Sequence, residues 1–238
     1  MSSEVHATAV VAEGAELGKG ATVGPYAIIG SNVRLGAECT VGAHAVLDGH
    51  TTIGARTKIF SHAAVGFVPQ DLKYAGEPTR LELGADNVIR EFATLHIGTD
   101  GGGGLTQLGD RNLIMAYAHV AHDCILGNGN ILANGATLAG HVILEDDIIL
   151  GGLSAVHQFV RVGKNAFVSG GSMVAMDVPP YCTVQGDRAS LVGLNTVGLK
   201  RKGFSAESIR GLKSTYRELF RSGQGLREAI SATRAGVT

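Results

Sequence analysis

The chain has no tryptophan, and aromatic residues make up only 5% of its 238 positions. So few rings suit a thin interior that accepts aliphatic and small side chains. Three cysteines are too few for a disulfide framework. No apolar run approaches the roughly 18 residues that a membrane-spanning helix needs, and residues 1–4 lack the basic and apolar regions of a secretory signal. We therefore expect a cytoplasmic protein with no integral membrane segment.

Several motifs of common protein classes are also missing. The sequence has no P-loop, no dinucleotide-binding fingerprint, no Gly-x-Ser-x-Gly elbow and no paired Cys-x-x-Cys. Their absence excludes the commoner phosphate-binding, nicotinamide-dependent, serine-hydrolase and zinc-ribbon classes. The net charge is only −1 and no nucleic-acid recognition motif is present, so we expect no nucleic-acid partner.

What the sequence does contain is an isoleucine, leucine or valine at every sixth position, in runs that span residues 5–65, 83–95 and 108–174. A period of six fits neither an amphipathic helix nor a strand that alternates along its whole length. It is typical of a parallel β-helix in which each hexapeptide forms a short strand and a turn, and three hexapeptides close a coil of about eighteen residues. The aliphatic side chains would point inward and stack roughly 4.8 Å apart between coils.

The repeat is interrupted twice. Asp71 and Glu77 occupy expected aliphatic positions, so a loop should leave the coil near residues 67–80. The phase then slips by one residue around the glycine run 101–104, which predicts a second excursion near 98–107. Loops that interrupt a rigid scaffold often carry function. We expect functional residues in the first loop and mainly flexibility in the second.

The six-residue pattern ends after residue 174, and the rest of the chain has helical patterning. Ser205 is a candidate N-cap. The apolar stripe that follows comprises Ile209, Leu212, Tyr216, Leu219 and Phe220. Gly223 and Gly225 separate this helix from a short second one. The predicted domains are a β-helix over residues 1–190 and a C-terminal helical domain over residues 191–238.

The tail is basic. From Thr196 onward it has nine lysine and arginine residues against three glutamates. Such a surface suits an acidic partner, and it is equally typical of a solvated helix face.

His122 is the strongest candidate for chemistry. It follows the inward Val120 by two positions, so it should point outward near a turn, with Gly140 directly above it in the next coil. A base beside a closely approachable backbone N–H could deprotonate a nucleophile and stabilise an oxyanion. Asp123 could orient the imidazole, whereas His141, stacked over Asp123, is better suited to binding.

A metal site is the competing interpretation. Neutral imidazole is a good zinc ligand, and His119, His122 and His141 could be combined as a three-histidine set. The three histidines occupy different phases of the repeat, so we expect no metal. The spacing leaves structural and functional roles equally open for His119 and His157.

Five segments taken together are more specific than the repeat. They are residues 71–80 (DLKYAGEPTR), 118–124 (AHVAHDC), 138–141 (LAGH), 155–159 (AVHQF) and 198–204 (GLKRKGF). They closely resemble the acyl-ACP–UDP-N-acetylglucosamine O-acyltransferases of lipid A biosynthesis, and the resemblance extends from about residue 6 to residue 223.

The resemblance implies a left-handed parallel β-helix with a small C-terminal helical tail, assembled as a homotrimer with active sites between subunits. The donor would be a (3R)-3-hydroxyacyl chain on acyl carrier protein, and the acceptor the 3-hydroxyl of UDP-N-acetylglucosamine. No cofactor is implied. His122 would be the general base, the Gly140 N–H would stabilise the oxyanion, and Asp123 would support the imidazole. Transfer would be direct, without a covalent enzyme intermediate.

The resemblance also implies a substrate-binding set: Asp71, Lys73, His141, His157, Gln158, Gly170, Arg188, Asn195 and Arg201. Asp71 and Lys73 would contact the sugar or the polar groups of the donor. Asn195 and Arg201 would contact the uridine diphosphate. Gly170 occupies the position that gauges acyl length, and a glycine there predicts a longer chain. The basic tail would dock the acidic carrier protein.

Three positions depart from the family pattern. Arg188 stands where histidine is expected, Val197 where an acidic residue is usual, and Lys202 where arginine is frequent. The tail is also shorter than in the family. These differences concern nucleotide contacts and not the chemistry of His122.

Three alternatives remain at this point. A related N-acyltransferase would acylate an amino sugar, but normally has an additional N-terminal domain. A γ-type carbonic anhydrase would bind zinc. A non-catalytic repeat scaffold would need neither the Asp71 loop nor the histidine cluster.

Overall fold

The computed structural model describes residues 2–236, which form a parallel β-helix followed by three helices. The strands are β1 (Glu4–Val5), β2 (Val10–Val11), β3 (Glu16–Leu17), β4 (Thr22–Val23), β5 (Ile28–Ile29), β6 (Val33–Leu35), β7 (Thr40–Val41), β8 (Val46–Leu47), β9 (His50–Ile53), β10 (Lys58–Ile59), β11 (Ala64–Phe67), β12 (Arg80–Leu83), β13 (Val88–Ile89), β14 (Thr94–His96), β15 (Leu105–Leu108), β16 (Leu113–Ile114), β17 (His119–Val120), β18 (Ile125–Leu126), β19 (Ile131–Leu132), β20 (Thr137–Leu138), β21 (Ile143–Leu144), β22 (Ile149–Leu150), β23 (Ala155–Val156), β24 (Arg161–Val162), β25 (Phe167–Val168), β26 (Met173–Val174), β27 (Cys182–Gln185) and β28 (Ser190–Leu194). The helices are α1 (Thr196–Arg201), α2 (Ala206–Arg221) and α3 (Leu226–Gly236), and a short 3₁₀ helix spans Asp100–Gly102.

The strands form three sheets, one for each face of the coil. Sheet 1 has the order β1-β4-β7-β10-β13-β16-β19-β22-β25-β27-β28, sheet 2 the order β2-β5-β8-β11-β14-β17-β20-β23-β26, and sheet 3 the order β3-β6-β9-β12-β15-β18-β21-β24. Neighbouring strands are parallel, except that β27 and β28 are antiparallel. Up to β26, each strand therefore stacks on the strand three places earlier in the chain. This arrangement confirms the β-helix predicted from the six-residue period.

The aliphatic residues of the repeat fill the interior. Ile29, Leu95 and Leu132 have no exposed surface, and small side chains such as Ala136 occupy the remaining space between the strands. The column is uncovered at its first coil, where the inward Val5 is 42% exposed because no coil lies below it. The stability of such a column comes from contacts between successive coils.

A column of asparagines places large polar side chains inside the coil. Asn87, Asn112 and Asn130 are buried one above another. The side-chain oxygen of Asn87 accepts the N–H of Asn112, that of Asn112 accepts the N–H of Asn130, and that of Asn130 accepts the N–H of Ile148, at 2.8–2.9 Å. Each buried amide thus satisfies a backbone group of the next coil, which offsets the cost of placing it there.

Two loops leave the coil, at residues 68–79 and 97–104. Ile53 pairs with Leu83, thirty residues later, so the first loop adds twelve residues to a regular coil of eighteen. Leu83 pairs with Leu108, twenty-five residues later, so the second loop adds seven. Seven exceeds the six-residue period by one, which explains why this loop appears in the sequence only as a slip of one position.

The tail begins later than the sequence suggests. Strand β27 adds one more parallel strand to sheet 1, and β28 folds back along it. The boundary expected at residue 191 therefore lies within β28, and the first helix starts at Thr196. Ser205 caps α2 as expected, since its Oγ accepts the N–H of Ser208 at 3.0 Å. Among residues 2–236, no helix is both long and apolar enough to cross a membrane.

The packing of the column predicts that Leu132→Ala lowers the free energy of unfolding by about 2–5 kcal/mol, because it leaves a cavity that the rigid coils cannot close. Thermal and urea denaturation measure the loss. Val5→Ala is the matched control, an inward residue on the uncovered first coil, and we expect a change within about 0.5 kcal/mol. Equal effects of the two substitutions would contradict the role assigned to coil stacking.

Candidate active site

One corner of the coil, between sheets 2 and 3, carries three side chains that stack in successive turns. Asp123, His141 and Phe159 are eighteen residues apart, and each has a positive φ, between 58° and 67°. Asp and His tolerate this left-handed conformation better than most residues, and Phe159 adopts it because the turn is held by strands on both sides. The corner therefore presents a carboxyl, an imidazole and a phenyl ring in a fixed vertical order.

His122 and Asp123 form a hydrogen-bonded pair at this corner. His122 Nδ1 lies 2.7 Å from Asp123 Oδ2. The imidazole retains 15% exposure, whereas the carboxyl retains 1%. The backbone N–H of Asp123 donates to Thr106 Oγ1 at 2.7 Å, which fixes the turn itself. Imidazole and carboxylate are thus arranged as a base and its orienting group.

Thr99 holds the other side of the carboxyl. Its backbone N–H donates to Asp123 Oδ1 at 2.8 Å, and its hydroxyl donates to Oδ2 at 2.6 Å. Thr99 belongs to the glycine loop, for which the sequence predicts mainly flexibility, and that prediction is wrong for this segment. The sequence offers one signal, a threonine directly before the Asp-Gly-Gly-Gly-Gly run, but nothing in the six-residue period places it beside Asp123.

Gly140 lies directly over His122, as the eighteen-residue spacing predicts. A Cβ at position 140 would come within 2.7 Å of His122 Nε2. Only glycine permits this approach of backbone to imidazole. Among residues 2–236, no protein group accepts the N–H of Gly140. A donor without a protein acceptor beside a base is the arrangement that an oxyanion-stabilising group requires.

His141 borders a groove above the pair. Its ring packs edge-on against His122 with the centroids 5.1 Å apart, and stacks on Phe159 at 4.5 Å. A cavity of about 430 Å³ opens beside it. The cavity is lined by Asp71, Lys73, Tyr74, Glu77, Thr99, Asp100, Gly101, Gly102, His141 and Phe159. The two loops therefore meet at this groove, and Asp71 and Lys73 lie where they can reach a ligand that contacts His141.

Two further histidines lie below His122 on sheet 2. Burial, and then the neighbouring His119 and His122, lowers the pKa of His96 to about 4. Burial is also the main cause that lowers the pKa of His119, whose Nδ1 lies 2.7 Å from Thr94 Oγ1. Both rings are therefore neutral near pH 7.

The potential metal ligands are not the three histidines that the sequence suggested. Donor atoms of His122, Asp123 and His141 lie within 4.8 Å of one another, and His119 is outside this set. Both Asp123 oxygens already accept hydrogen bonds from Thr99. The arrangement thus fits an orienting carboxylate better than a metal ligand.

The cysteines are unsuited to nucleophilic chemistry. All three are buried and free. Burial raises the pKa of the Cys39 thiol. It also raises the pKa of Cys124 to about 12 and the pKa of Cys182 to about 11. A thiol with so high a pKa stays protonated at neutral pH, and the thiolate is the nucleophilic form. Cys124 follows Asp123 directly but points into the coil.

Other residues of the predicted set are spread over the next coils. His157 and Gln158 are exposed beside Phe159, and His157 Nδ1 lies 3.2 Å from the Gln158 carbonyl oxygen. Gly170 is exposed one coil beyond Gly152. A Cβ at position 170 would lie 3.3 Å from the Gly152 carbonyl oxygen. Arg188 is exposed in the connection between β27 and β28.

Asn195 and Arg201 are not brought to the groove. They line a separate cavity of about 420 Å³ against the outer side chains of sheet 1, Ile149 and Phe167 among them. Asn195 also caps α1, since its Oδ1 accepts the Gly198 N–H, and its Nδ2 donates to the Asn165 carbonyl oxygen, both at 3.0 Å. Within one chain the predicted diphosphate residues and the base are therefore on different faces of the coil.

Two family models match the chain. Residues 177–237 match the model described as UDP N-acetylglucosamine O-acyltransferase, domain 2. Residues 14–49 and 105–140 match the bacterial transferase hexapeptide model, which describes six repeats. The first match covers the helical tail and the second covers parts of the coil.

Proteins with assigned names are similar over almost the whole chain. An acyl-[acyl-carrier-protein]–UDP-N-acetylglucosamine O-acyltransferase of Alkalilimnicola ehrlichii is 63% identical, over 95% of this chain and 88% of that protein. An enzyme of the same name from Anaeromyxobacter dehalogenans is 56% identical, over 97% of this chain and 90% of that protein. Among solved structures, LpxA from Acinetobacter baumannii superposes with a TM-score of 0.95 at 42% identity, over 98% of this chain and 90% of that one.

Proposed function

The chain belongs to the acyl-[acyl-carrier-protein]–UDP-N-acetylglucosamine O-acyltransferase family, which catalyses the first step of lipid A biosynthesis, and from that premise we propose how its own residues carry out the transfer. His122 is the general base. The observation that carries this assignment is the His122–Asp123 pair at 2.7 Å beneath the N–H of Gly140.

The substrate hydroxyl loses its proton to His122 Nε2 as its oxygen attacks the carbonyl carbon of the acyl thioester. Asp123 accepts two hydrogen bonds from Thr99, so it also acts as an acceptor for His122 Nδ1–H and leaves Nε2 free to take the proton. Such a base contributes about 10²–10⁴-fold to the rate. When the C–S bond breaks, the leaving thiolate takes the proton back from His122, and the base is regenerated.

Gly140 supplies the oxyanion donor. Negative charge develops on the thioester oxygen when the tetrahedral intermediate forms, and a preorganised N–H at this point stabilises it. Since the hydroxyl attacks the thioester directly, no covalent enzyme intermediate forms. The raised pKa values of the buried thiols support this assignment, because they leave no cysteine available as a nucleophile.

The sugar of UDP-N-acetylglucosamine lies in the groove between the two loops. Asp71 and Lys73 contact its polar groups, and His141 holds the side nearest the base. Gln158 and His157, on the next coil, extend this polar surface. Lys73 also brings a positive charge toward the anionic part of the substrate.

The donor is a (3R)-3-hydroxyacyl chain, and Gly170 gauges its length. Gly170 is exposed and has no side chain, so it leaves open space on the outer face of the coil, which favours a long acyl chain. Arg188, at the end of the coil, is a further candidate contact for the nucleotide.

The uridine diphosphate is bound by Asn195 and Arg201 of a second subunit. Their cavity lies on sheet 1, the face opposite the corner that holds His122. A homotrimer in which sheet 1 of one subunit faces the corner of its neighbour joins the two halves into a site between subunits. Arginine is suited to a diphosphate because its planar group makes paired hydrogen bonds to phosphate oxygens.

A basic stripe on α2 docks the carrier protein. Arg210, Lys213, Arg217 and Arg221 are exposed and follow one another at intervals of three or four residues, so they share one helix face. The buried Ile209 and Tyr216 lie on the adjacent face of the helix. Complementary charge of this kind mainly increases the rate of encounter with an acidic partner.

We expect His122→Ala to lower kcat by about 10²–10⁴-fold while the melting temperature is retained, because only the proton acceptor is removed. Transfer from a series of 3-hydroxyacyl carrier proteins to UDP-N-acetylglucosamine is measured by mass spectrometry, which also identifies the preferred chain length. His50→Ala, an exposed histidine on an early coil, is the matched control. Full activity of His122→Ala, or loss of wild-type activity on treatment with a zinc chelator, would contradict the assignment.

Mixed trimers test the division of the site between subunits. His122→Ala and Arg201→Ala chains are co-expressed with different tags, and trimers that contain both are purified. Some of their sites combine an intact His122 with an intact Arg201, so we expect activity well above that of either parent. If both residues act within one subunit, every site keeps one defect and activity stays at the parental level.

Charge reversal on α2 tests the docking surface. Arg210→Glu with Arg217→Glu should raise KM for the acyl carrier protein about tenfold or more at low salt, and high salt should reduce the difference. KM for UDP-N-acetylglucosamine should not change. Lys19→Glu, an exposed turn residue of the first coil and far from the helices, is the matched control. An equal effect of the control would show that only net charge matters.

A further inference from the structure

The Asp123 carboxyl is held mainly by a residue outside its own coil. Thr99, twenty-four positions earlier, donates two hydrogen bonds to it, one to each oxygen. Asp123 is 5% exposed and Thr99 is 8% exposed. Hydrogen bonds to a buried carboxylate are worth more than average, because water cannot replace them.

The glycine loop is built around Thr99. The N–H groups of Gly102 and Gly104 both donate to the Thr99 carbonyl oxygen, at 3.0 and 2.8 Å. The base of the loop is fixed by Thr79, whose hydroxyl donates to the Gly98 carbonyl oxygen at 2.5 Å. All the polar groups of Thr99 are therefore engaged, its carbonyl by the loop and its two donors by Asp123.

The loop also closes directly on the carboxyl. A Cβ at position 102 would lie 2.1 Å from Asp123 Cγ, whereas a Cβ at the adjacent Gly101 would meet nothing within 4 Å. Glycine at 102 thus allows backbone to pack against the carboxyl and keep it dry.

We propose that Thr99 is a positioning residue for the transfer: its N–H and hydroxyl hold the Asp123 carboxyl in the orientation that directs Oδ2 at His122 Nδ1. This inference rests on the proposed role of His122 as the base. Without the Thr99 hydroxyl, Oδ2 loses one of its two partners and the carboxyl can rotate away from the imidazole. The loop then no longer presents a uniquely oriented base to the substrate hydroxyl.

The glycine loop also borders the groove in which the substrate would lie. Thr99 and Gly102 also line the groove beside His141. The loop that orients the base is therefore also one wall of the proposed sugar site.

The first test compares Thr99→Val with Thr99→Ser. Valine has the same shape but no hydroxyl, and we expect kcat to fall roughly tenfold to a hundredfold with KM for UDP-N-acetylglucosamine nearly unchanged. Serine keeps both donors and should retain kcat within about threefold. Thr51→Val is the matched control, because this buried threonine donates to the Asp48 carbonyl oxygen at the other end of the coil. Wild-type kcat in Thr99→Val would overturn the proposal.

A double-mutant cycle separates positioning from general stability. In an Asp123→Ala background Thr99 has no carboxyl to hold, so Thr99→Val should cause little further loss of kcat. If Thr99→Val lowered kcat by the same factor in both backgrounds, Thr99 would act only through the stability of the protein, which would contradict the proposal. The melting temperature of each variant is measured in parallel.

Glycine substitutions give an independent test. Gly102→Ala should lower kcat about tenfold or more because its Cβ displaces the Asp123 carboxyl. Gly193→Ala, in β28 and outside the groove, should leave kcat unchanged because an added Cβ there meets nothing within 4 Å. His122→Ala is assayed alongside. If His122→Ala is inactive but Thr99→Val and Gly102→Ala are fully active, the role of His122 as the base stands and the positioning role of Thr99 is rejected. Active His122→Ala would reject the base itself.

Discussion

The stacking of each coil on the next is the constraint on which the rest of this protein depends. The inward positions form a dry column only wide enough for aliphatic and small side chains, so Leu132 and Ala136 fit where a larger polar group would not. The asparagine column shows what a polar side chain needs in order to stay inside, which is a backbone partner in the next coil. Chemistry is therefore confined to corners, outer faces and loops.

Corner stacking alone does not make a site. Tyr26, His44, His62, Phe92 and Tyr117 form a continuous ladder of parallel rings at another corner, with centroids 4.9–5.1 Å apart. That ladder is exposed and carries no ion pair. The corner of Asp123 and His141 has the same backbone geometry, but the glycine loop covers it, and a buried carboxyl beside a partly exposed imidazole is the result. The loop, more than the coil, distinguishes this corner from the exposed ladder.

The sequence predicted the parts that follow from periodicity. Residues eighteen apart must stack, so the contact of Gly140 with His122 and of His141 with Asp123 follows from their spacing alone. The contact of Thr99 does not, because this residue reaches Asp123 through a loop whose path no period describes. Helix α1 was also missed, since its six residues are too few for an amphipathic pattern. The roles of the substrate-binding residues came only from resemblance, and they remain proposals.

A rigid prism also limits how a site for two large substrates can be completed. His122 lies at the corner between sheets 2 and 3, and the cavity with Arg201 lies on sheet 1, the face opposite that corner. Domain closure cannot bring them together, because three continuous sheets hold the faces apart. A second copy can do so in the proposed trimer, in which the corner of one prism faces sheet 1 of another. In that proposal, assembly takes the place that hinge motion has in enzymes with two domains.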